Sequence, residues 1–213
     1  MQVRNYSTIW GIITKKGYKW DLRKQALNFV WERFRDAYTD KFDDTLHICY
    51  IDNSGNKSYI PIQATTKPGL FSAHTPKEVD NVLGVAVIVP GQYINCWEWY
   101  DGDKLAAFVK QWNKPYPFNA PHFRQVGKLN YWRDFNKDAL IDHVQLQQGK
   151  LFFTHWHNMS YIGQPGTIVG NWSEGCMGYP EPELHKFDTF VRAHVALYGA
   201  LFTGTIIETN DFI

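Results

Sequence analysis

The stretch Leu46-His47-Ile48-Cys49-Tyr50-Ile51-Asp52-Asn53-Ser54-Gly55-Asn56-Lys57-Ser58-Tyr59-Ile60-Pro61-Ile62-Gln63 decides the fold class. Two β-favouring runs, Leu46 to Asp52 and Lys57 to Gln63, flank Asn53-Ser54-Gly55-Asn56, whose residues supply turn chemistry, and together they predict a β-hairpin. Further along, Gly84 to Val89 is an apolar run of strand length closed by Pro90-Gly91. Gln92 to Tyr100 reads as the next strand, ending at Asp101-Gly102-Asp103. Gln125 to Arg133, Leu151 to His157 and Phe202 to Glu208 read as strands too, and Lys104 to Trp112 leans the same way. Asn113 to Phe123, with three Pro, and Asn158 to Asn171, with three Gly and one Pro, read as loops.

Two helices frame this β-rich body. From Trp20 to Tyr38, Leu22, Ala26, Leu27, Val30, Trp31, Phe34 and Tyr38 recur at three- and four-residue steps between charged residues, which predicts an amphipathic helix. After Pro180-Glu181-Pro182-Glu183, the residues Leu184, Phe187, Val191, His194, Val195 and Tyr198 predict a second, over about 183–198, that stops at Gly199. The expected fold class is α+β, dominated by strands from about 45 to 180. No repeat, low-complexity segment or linker divides the chain, so one domain is expected.

Composition narrows the function. The 213 residues include 22 Lys and Arg against 21 Asp and Glu, a net charge of +1, so no long-range field gathers nucleic acid or anionic lipid. No stretch is apolar enough to predict a membrane span, and the N-terminus has no export-signal pattern. Aromatic residues reach 16%, which suits a packed β body or stacking surfaces for flat ligands. The three cysteines, Cys49, Cys96 and Cys176, are too few and too irregular for a disulfide framework or paired zinc knuckles. Cys49 and Cys96 lie within strand-like runs and read as small buried hydrophobes.

Chemistry concentrates between His155 and Cys176, HWHNMSYIGQPGTIVGNWSEGC. His155 and His157, two apart on a strand, emerge on one face. Ser173-Glu174-Gly175-Cys176 sets a thiol beside a glycine at a turn, where a ligand carbonyl can approach. An imidazole within reach turns a thiol into a nucleophile, and turn amides can form an oxyanion hole. Two other readings of these residues stay open. His155, His157 and Cys176, with His143 or His185, have the makings of a zinc site, although no HExxH or CxxC accompanies them. Trp97, Trp99, Trp112, Tyr116, Trp132 and Trp172 could line the sugar groove of a binding or virion structural protein, although strand aromatics are more often core. Asp134, Asn136 and Asp138 have the spacing that opens a calcium loop, but Ala139 stands where glycine is needed, so a solvated turn is expected.

The segment resembles the active-site motif of the L,D-transpeptidase-like cysteine enzymes, a His followed a loop later by [Ser/Thr]-His-Gly-Cys. Fifteen residues separate His157 from Ser173, and 17 separate His155 from it; both spacings fit. Glu174 occupies the position of the family's second His. The likeness is closer to a phage and prophage branch in which that position is not His. Thr65-Thr66-Lys67-Pro68-Gly69, Val89-Pro90-Gly91-Gln92-Tyr93 and Arg133-Asp134-Phe135-Asn136-Lys137-Asp138 resemble that branch as well, so the similarity runs from about residue 40 onwards.

The resemblance implies an L,D-transpeptidase-like β-sandwich and a Cys-His acyl-transfer reaction on the peptidoglycan stem peptide, with no cofactor. Cys176 is implied as nucleophile and His157 as base. Ser173 and the amides of Gly175 and Cys176 are implied to shape the oxyanion region, while His155, Asn171, Trp172 and Glu174 are the expected substrate contacts. A carboxylate at Glu174 should raise the thiol pKa unless it points away. Hydrolysis of the phage endolysin kind is expected ahead of transpeptidation. The expected site of action is the bacterial wall, reached by release from the cytoplasm or on the virion.

Overall fold

The computed structural model describes residues 3–34, 39–70, 84–101, 121–136, 138, 140–141, 143–144, 146–149, 154–160 and 166–213. The expected hairpin forms as β2 (Asp44–Ile51) and β3 (Lys57–Ala64), paired antiparallel from Asp44↔Ala64 to Ile51↔Lys57. Gly55 takes φ +90° in the turn, and the Asp52 carboxylate accepts from the Asn56 main-chain N–H. A left-handed residue here is why glycine suits the position.

The helix predicted over 20–38 does not form among its described residues. Its centre is β1 (Asn28–Arg33), a strand pairing β2 antiparallel and the last strand, β11 (Leu201–Glu208), parallel; residues 35–38 lie outside the described residues. The periodicity misled because β1 is covered on both faces, so its apolar residues are consecutive. Phe29 and Trp31 enter the main core, while Val30 faces a second cluster beneath α1 (Tyr6–Lys15). The charged residues of β1 are buried: Glu32 accepts from Arg4 and meets His47 Nε2 at 3.0 Å, and Arg33 donates to Thr66 Oγ1 and the Ile88 carbonyl. Helix α1 itself starts at an Asn5–Thr8 capping box.

The remaining strands are β4 (Ala86–Ile88), β5 (Gly91–Tyr100), β6 (His122–Gln125), β7 (Leu129–Arg133), β8 (Gln147–Gly149), β9 (Trp156–Asn158) and β10 (Met177–Tyr179). Among the described residues, eight strands form one mixed sheet in the order β10-β9-β6-β5-β11-β1-β2-β3, and β4-β7-β8 form a small antiparallel one. The run expected as a single strand from Gln125 to Arg133 therefore divides between two sheets. A strand is present near the end of the 151–157 run, but it begins at Trp156, and 151–153 lie outside the described residues, as does the stretch 104–112. The C-terminal helix is interrupted: a short α2 (Glu181–Leu184) precedes α3 (Asp188–Tyr198), which stops where expected at Gly199, φ +89°.

The large sheet curls until its edges meet. Thr65, just past β3, exchanges main-chain bonds with Gly178 of β10, at 2.7 and 2.9 Å. Twisted strands that close in this way leave no open edge there. Inside the curl lie Phe29, Trp31, Trp97, Phe123, Trp156, Met177, Tyr179, Phe187 and Phe202. The Trp97 and Trp156 rings lie 4.3 Å apart, and Gly204 makes room for them: a Cβ there would sit 2.4 Å from Trp156 and 2.7 Å from Trp97. Among the described residues, no helix is long and apolar enough to cross a membrane.

Candidate active site

The site lies on the outer face of β6, β9 and β10, and the aromatic core fixes which side chains reach it. Strands β9 and β10 run parallel with Trp156 opposite Met177, and β6 joins β9 antiparallel with Phe123 opposite Trp156. All three of these residues are in the core. Because neighbours in a strand alternate between faces, His157 of β9 and His122 and Arg124 of β6 emerge on the opposite side, and the same alternation carried one residue back gives that side to His155, just before β9, and Cys176, just before β10. His155, His157 and Cys176, singled out in the sequence, lie on adjacent chain segments. Met177 N–H donates to the His155 carbonyl at 3.0 Å, locking the Cys176 end of β10 against His155.

The turn before Cys176 is held from inside and outside. Ser173 Oγ donates to the Cys176 carbonyl (2.7 Å) and accepts from Gly175 N–H (3.2 Å). Ser173 thus builds the turn, and the Gly175 amide expected to help form an oxyanion hole is already bonded to that hydroxyl. Gly69 N–H donates to the Ser173 carbonyl (3.2 Å), and Ala86 N–H, from β4, donates to the Glu174 carbonyl (3.0 Å), so the turn bridges the two sheets. Asp40 completes the clamp: one carboxylate oxygen accepts from Leu70 and Gly170 N–H, and its carbonyl accepts from Val169 N–H. Trp172 is partly buried with Cys176 against Phe42, Met159 and Val169. Asn171 lies in the 3-10 turn Gly170–Trp172, and its side chain falls outside the described residues.

The two histidines carry their protons on different nitrogens. His157 Nδ1 lies 2.7 Å from the Asn158 carbonyl, which can only accept, so Nδ1 is protonated and the lone pair is on Nε2. His155 Nδ1 receives the Gln125 main-chain N–H at 3.3 Å, so it carries the lone pair and Nε2 the proton. Burial pushes both rings well below the usual imidazole range, His155 to about 3 and His157 to about 4. His122 adds to this effect on both rings, and His157 and Arg124 add to it at His155. Burial pushes the Cys176 thiol up to about 11, the main-chain N–H of His155 opposes this, and the Glu174 charge adds to it. Around neutrality the thiol and both imidazoles are uncharged.

His122 was not anticipated by the sequence reading. Its ring stands edge-on to His155 at 5.7 Å, and that of Tyr100 lies 5.9 Å from it. The clue was the alternation His122-Phe123-Arg124-Gln125, which places His122 opposite a core aromatic in the same way that His155 and His157 flank Trp156. Arg124 bonds Glu98 at 3.1 Å and lies over Tyr100.

The other sequence readings separate from this face. Cys49 and Cys96 are buried. His143 stacks on Trp132, and His185 meets Glu181 at 3.0 Å. Trp97 and Trp99 are core residues, and 112 and 116 lie outside the described residues. The main chain and side chains of Asp134, Asn136 and Asp138 bond one another in a turn. Among the described residues, no group of three or more His, Cys, Asp or Glu is placed to hold a metal ion. No protein-family model, curated protein or solved structure matches the chain.

Proposed function

We propose that the protein is a cysteine-dependent acyl-transfer enzyme of the L,D-transpeptidase-like kind, acting at the bacterial cell wall on peptidoglycan stem peptides as a phage-type hydrolase. In this reading the curled sheet is that family's sandwich core. The observation that carries the proposal is the β9–β10 register, which sets a thiol and two imidazoles on one sheet face, one of them with its lone pair on Nε2.

The chemistry begins with every group neutral. As Sγ of Cys176 attacks a peptide carbonyl, its proton passes to Nε2 of His157, so charge separates only in the transition state. The Asn158 carbonyl holds His157 in the basic tautomer and favours the imidazolium that forms. The tetrahedral intermediate collapses with cleavage of the C–N bond, and the leaving amine takes the proton from His157. Water, deprotonated by His157, then attacks the thioester and releases a carboxylate and the thiol. An amine in place of water gives cross-linking, the alternative outcome of the same intermediate.

A second reading, a wall-glycan-binding or virion protein without turnover, draws on the thiol held protonated beside Glu174. Incubation of wild type and Cys176→Ala with purified peptidoglycan, with fragments followed by mass spectrometry, separates the two. The proposal expects new carboxyl termini from wild type only. Wall binding without products from either protein would favour the second reading.

A further inference from the structure

We infer that His155 is a catalytic residue whose Nε2–H donates a hydrogen bond to the oxyanion formed at Cys176, a role that rests on the acyl-transfer reading above. The hydrogen bonds divide the two histidines by function. The Asn158 carbonyl makes His157 a base at Nε2, whereas the Gln125 N–H makes His155 a donor at Nε2. His155 and His157 flank the core residue Trp156, Cys176 precedes the core residue Met177, and Met177 N–H bonds the His155 carbonyl, so the chain at Cys176 runs beside the chain at His155.

An oxyanion needs donors fixed before the reaction, and of the two turn amides expected there, that of Gly175 already bonds Ser173 Oγ. His155 is fixed at two points, by the Gln125 main chain at Nδ1 and by the His122 ring edge-on at 5.7 Å. Burial keeps His155 uncharged far below neutrality, so it acts as a neutral donor and does not compete with His157 for the thiol proton. The Gly175 amide is thereby committed to the turn that positions the nucleophile, while the 155–157 segment supplies both the base and a side-chain oxyanion donor.

The test uses a small activated ester, p-nitrophenyl acetate, so that it does not depend on the wall substrate. Sγ attacks the acetyl carbonyl and its proton goes to His157. The C–O bond breaks, p-nitrophenolate leaves, and an acetyl thioester remains on Cys176. Alkylation of the same thiol by iodoacetamide, read on the peptide containing Cys176, displaces iodide and forms no oxyanion. His155→Phe should slow acetylation by about 10²- to 10³-fold while alkylation stays within about twofold. His155→Gln, which keeps an N–H donor, should recover about tenfold or more of the acetylation. Acetylation and alkylation falling together, acetylation unchanged in His155→Phe, or no recovery in His155→Gln would overturn the assignment.

Imidazole ¹⁵N spectra of the wild-type protein provide a check that needs no variant. His155 should show a protonated Nε2 and His157 a protonated Nδ1; the reverse at His155 would overturn it. Wild type that alkylates at Cys176 but is not acetylated would instead overturn the acyl-transfer reading, and the role of His155 with it.

Discussion

The thiol of Cys176 should be slow, and its slowness can be calculated. Burial, with Glu174 adding to it, raises the thiol from an ordinary 9.0 to about 11. At pH 7.5 the thiolate fraction falls from about 3% to about 0.03%, about 100-fold. A more basic thiolate is a better nucleophile, with a Brønsted slope of about 0.4–0.5, which returns a factor of about eight. Alkylation by iodoacetamide at pH 7.5 should therefore run about tenfold slower than for an unperturbed cysteine in a peptide. The logarithm of the rate should climb linearly with pH to about 10, without a plateau near neutrality. Because His157 is uncharged in the free protein, His157→Gln should leave this rate within about threefold while abolishing turnover. Glu174→Gln should raise the rate, since it removes a negative neighbour. The assay is pseudo-first-order alkylation followed on the Cys176 peptide by mass spectrometry. A plateau with an apparent pKa below 8, or a large drop in His157→Gln, would indicate a preformed thiolate–imidazolium pair and refute the reasoning.

Other consequences concern stability and the loop clamp. His155, His157 and His194 have folded pKa values pushed down to about 3, 4 and 4 by burial, so the unfolded chain binds more protons than the folded one below about 6.5. The contribution of these histidines is present above that pH and is lost as pH falls towards their folded values. Glu32, lowered to about 2 by its bonds to His47, Arg4 and Thr209, adds a loss from about 4.5 downwards. Thermal unfolding followed by circular dichroism should thus show Tm falling from about pH 6.5, and a Tm flat down to pH 4 would contradict this. Gly204→Ala should cost about 1–3 kcal/mol in urea unfolding, because its Cβ would strike Trp156 and Trp97. Asp40→Ala should remove the acceptor of two main-chain N–H groups, costing about 1–3 kcal/mol and lowering turnover by loosening the 169–176 loop; Asp40→Asn should retain most of both.

The parts of the fold that were legible in the sequence are turns with their own chemistry, a helix end marked by glycine, and short β-favouring runs bounded by turn residues. The β2–β3 hairpin is announced by Asn53-Ser54-Gly55-Asn56, and the end of α3 by Gly199. Strand β1 was illegible because both of its faces are covered and its charges are satisfied by distant partners, with Glu32 bonded to Arg4, His47 and Thr209. Helix α1 was missed although Asn5 and Thr8 carry its capping box, because its isoleucines face β1, β2 and β11 and not the main core.

In the site, the local pair His155 and His157 and the Ser173–Cys176 turn could be read from spacing. Their juxtaposition across β9 and β10 required the parallel register. His122 and Asp40 could not be located from spacing, since each reaches the site from a segment more than 30 residues from its partner there, His155 and Gly170 respectively. The opposite tautomers of the two histidines depend on the Gln125 amide and the Asn158 carbonyl, which are main-chain groups without a sequence signature.

The most direct test of the central claim is to trap the intermediate. Wild type and Cys176→Ala are mixed with a soluble stem-peptide fragment, quenched in acid within the first turnovers, and weighed intact by mass spectrometry. The account predicts a covalent adduct on wild type equal to the acyl half of the peptide, mapped to Cys176, cleaved by hydroxylamine and absent from the variant. Cleavage of the peptide by Cys176→Ala at the wild-type rate, with no adduct on either protein, would contradict it.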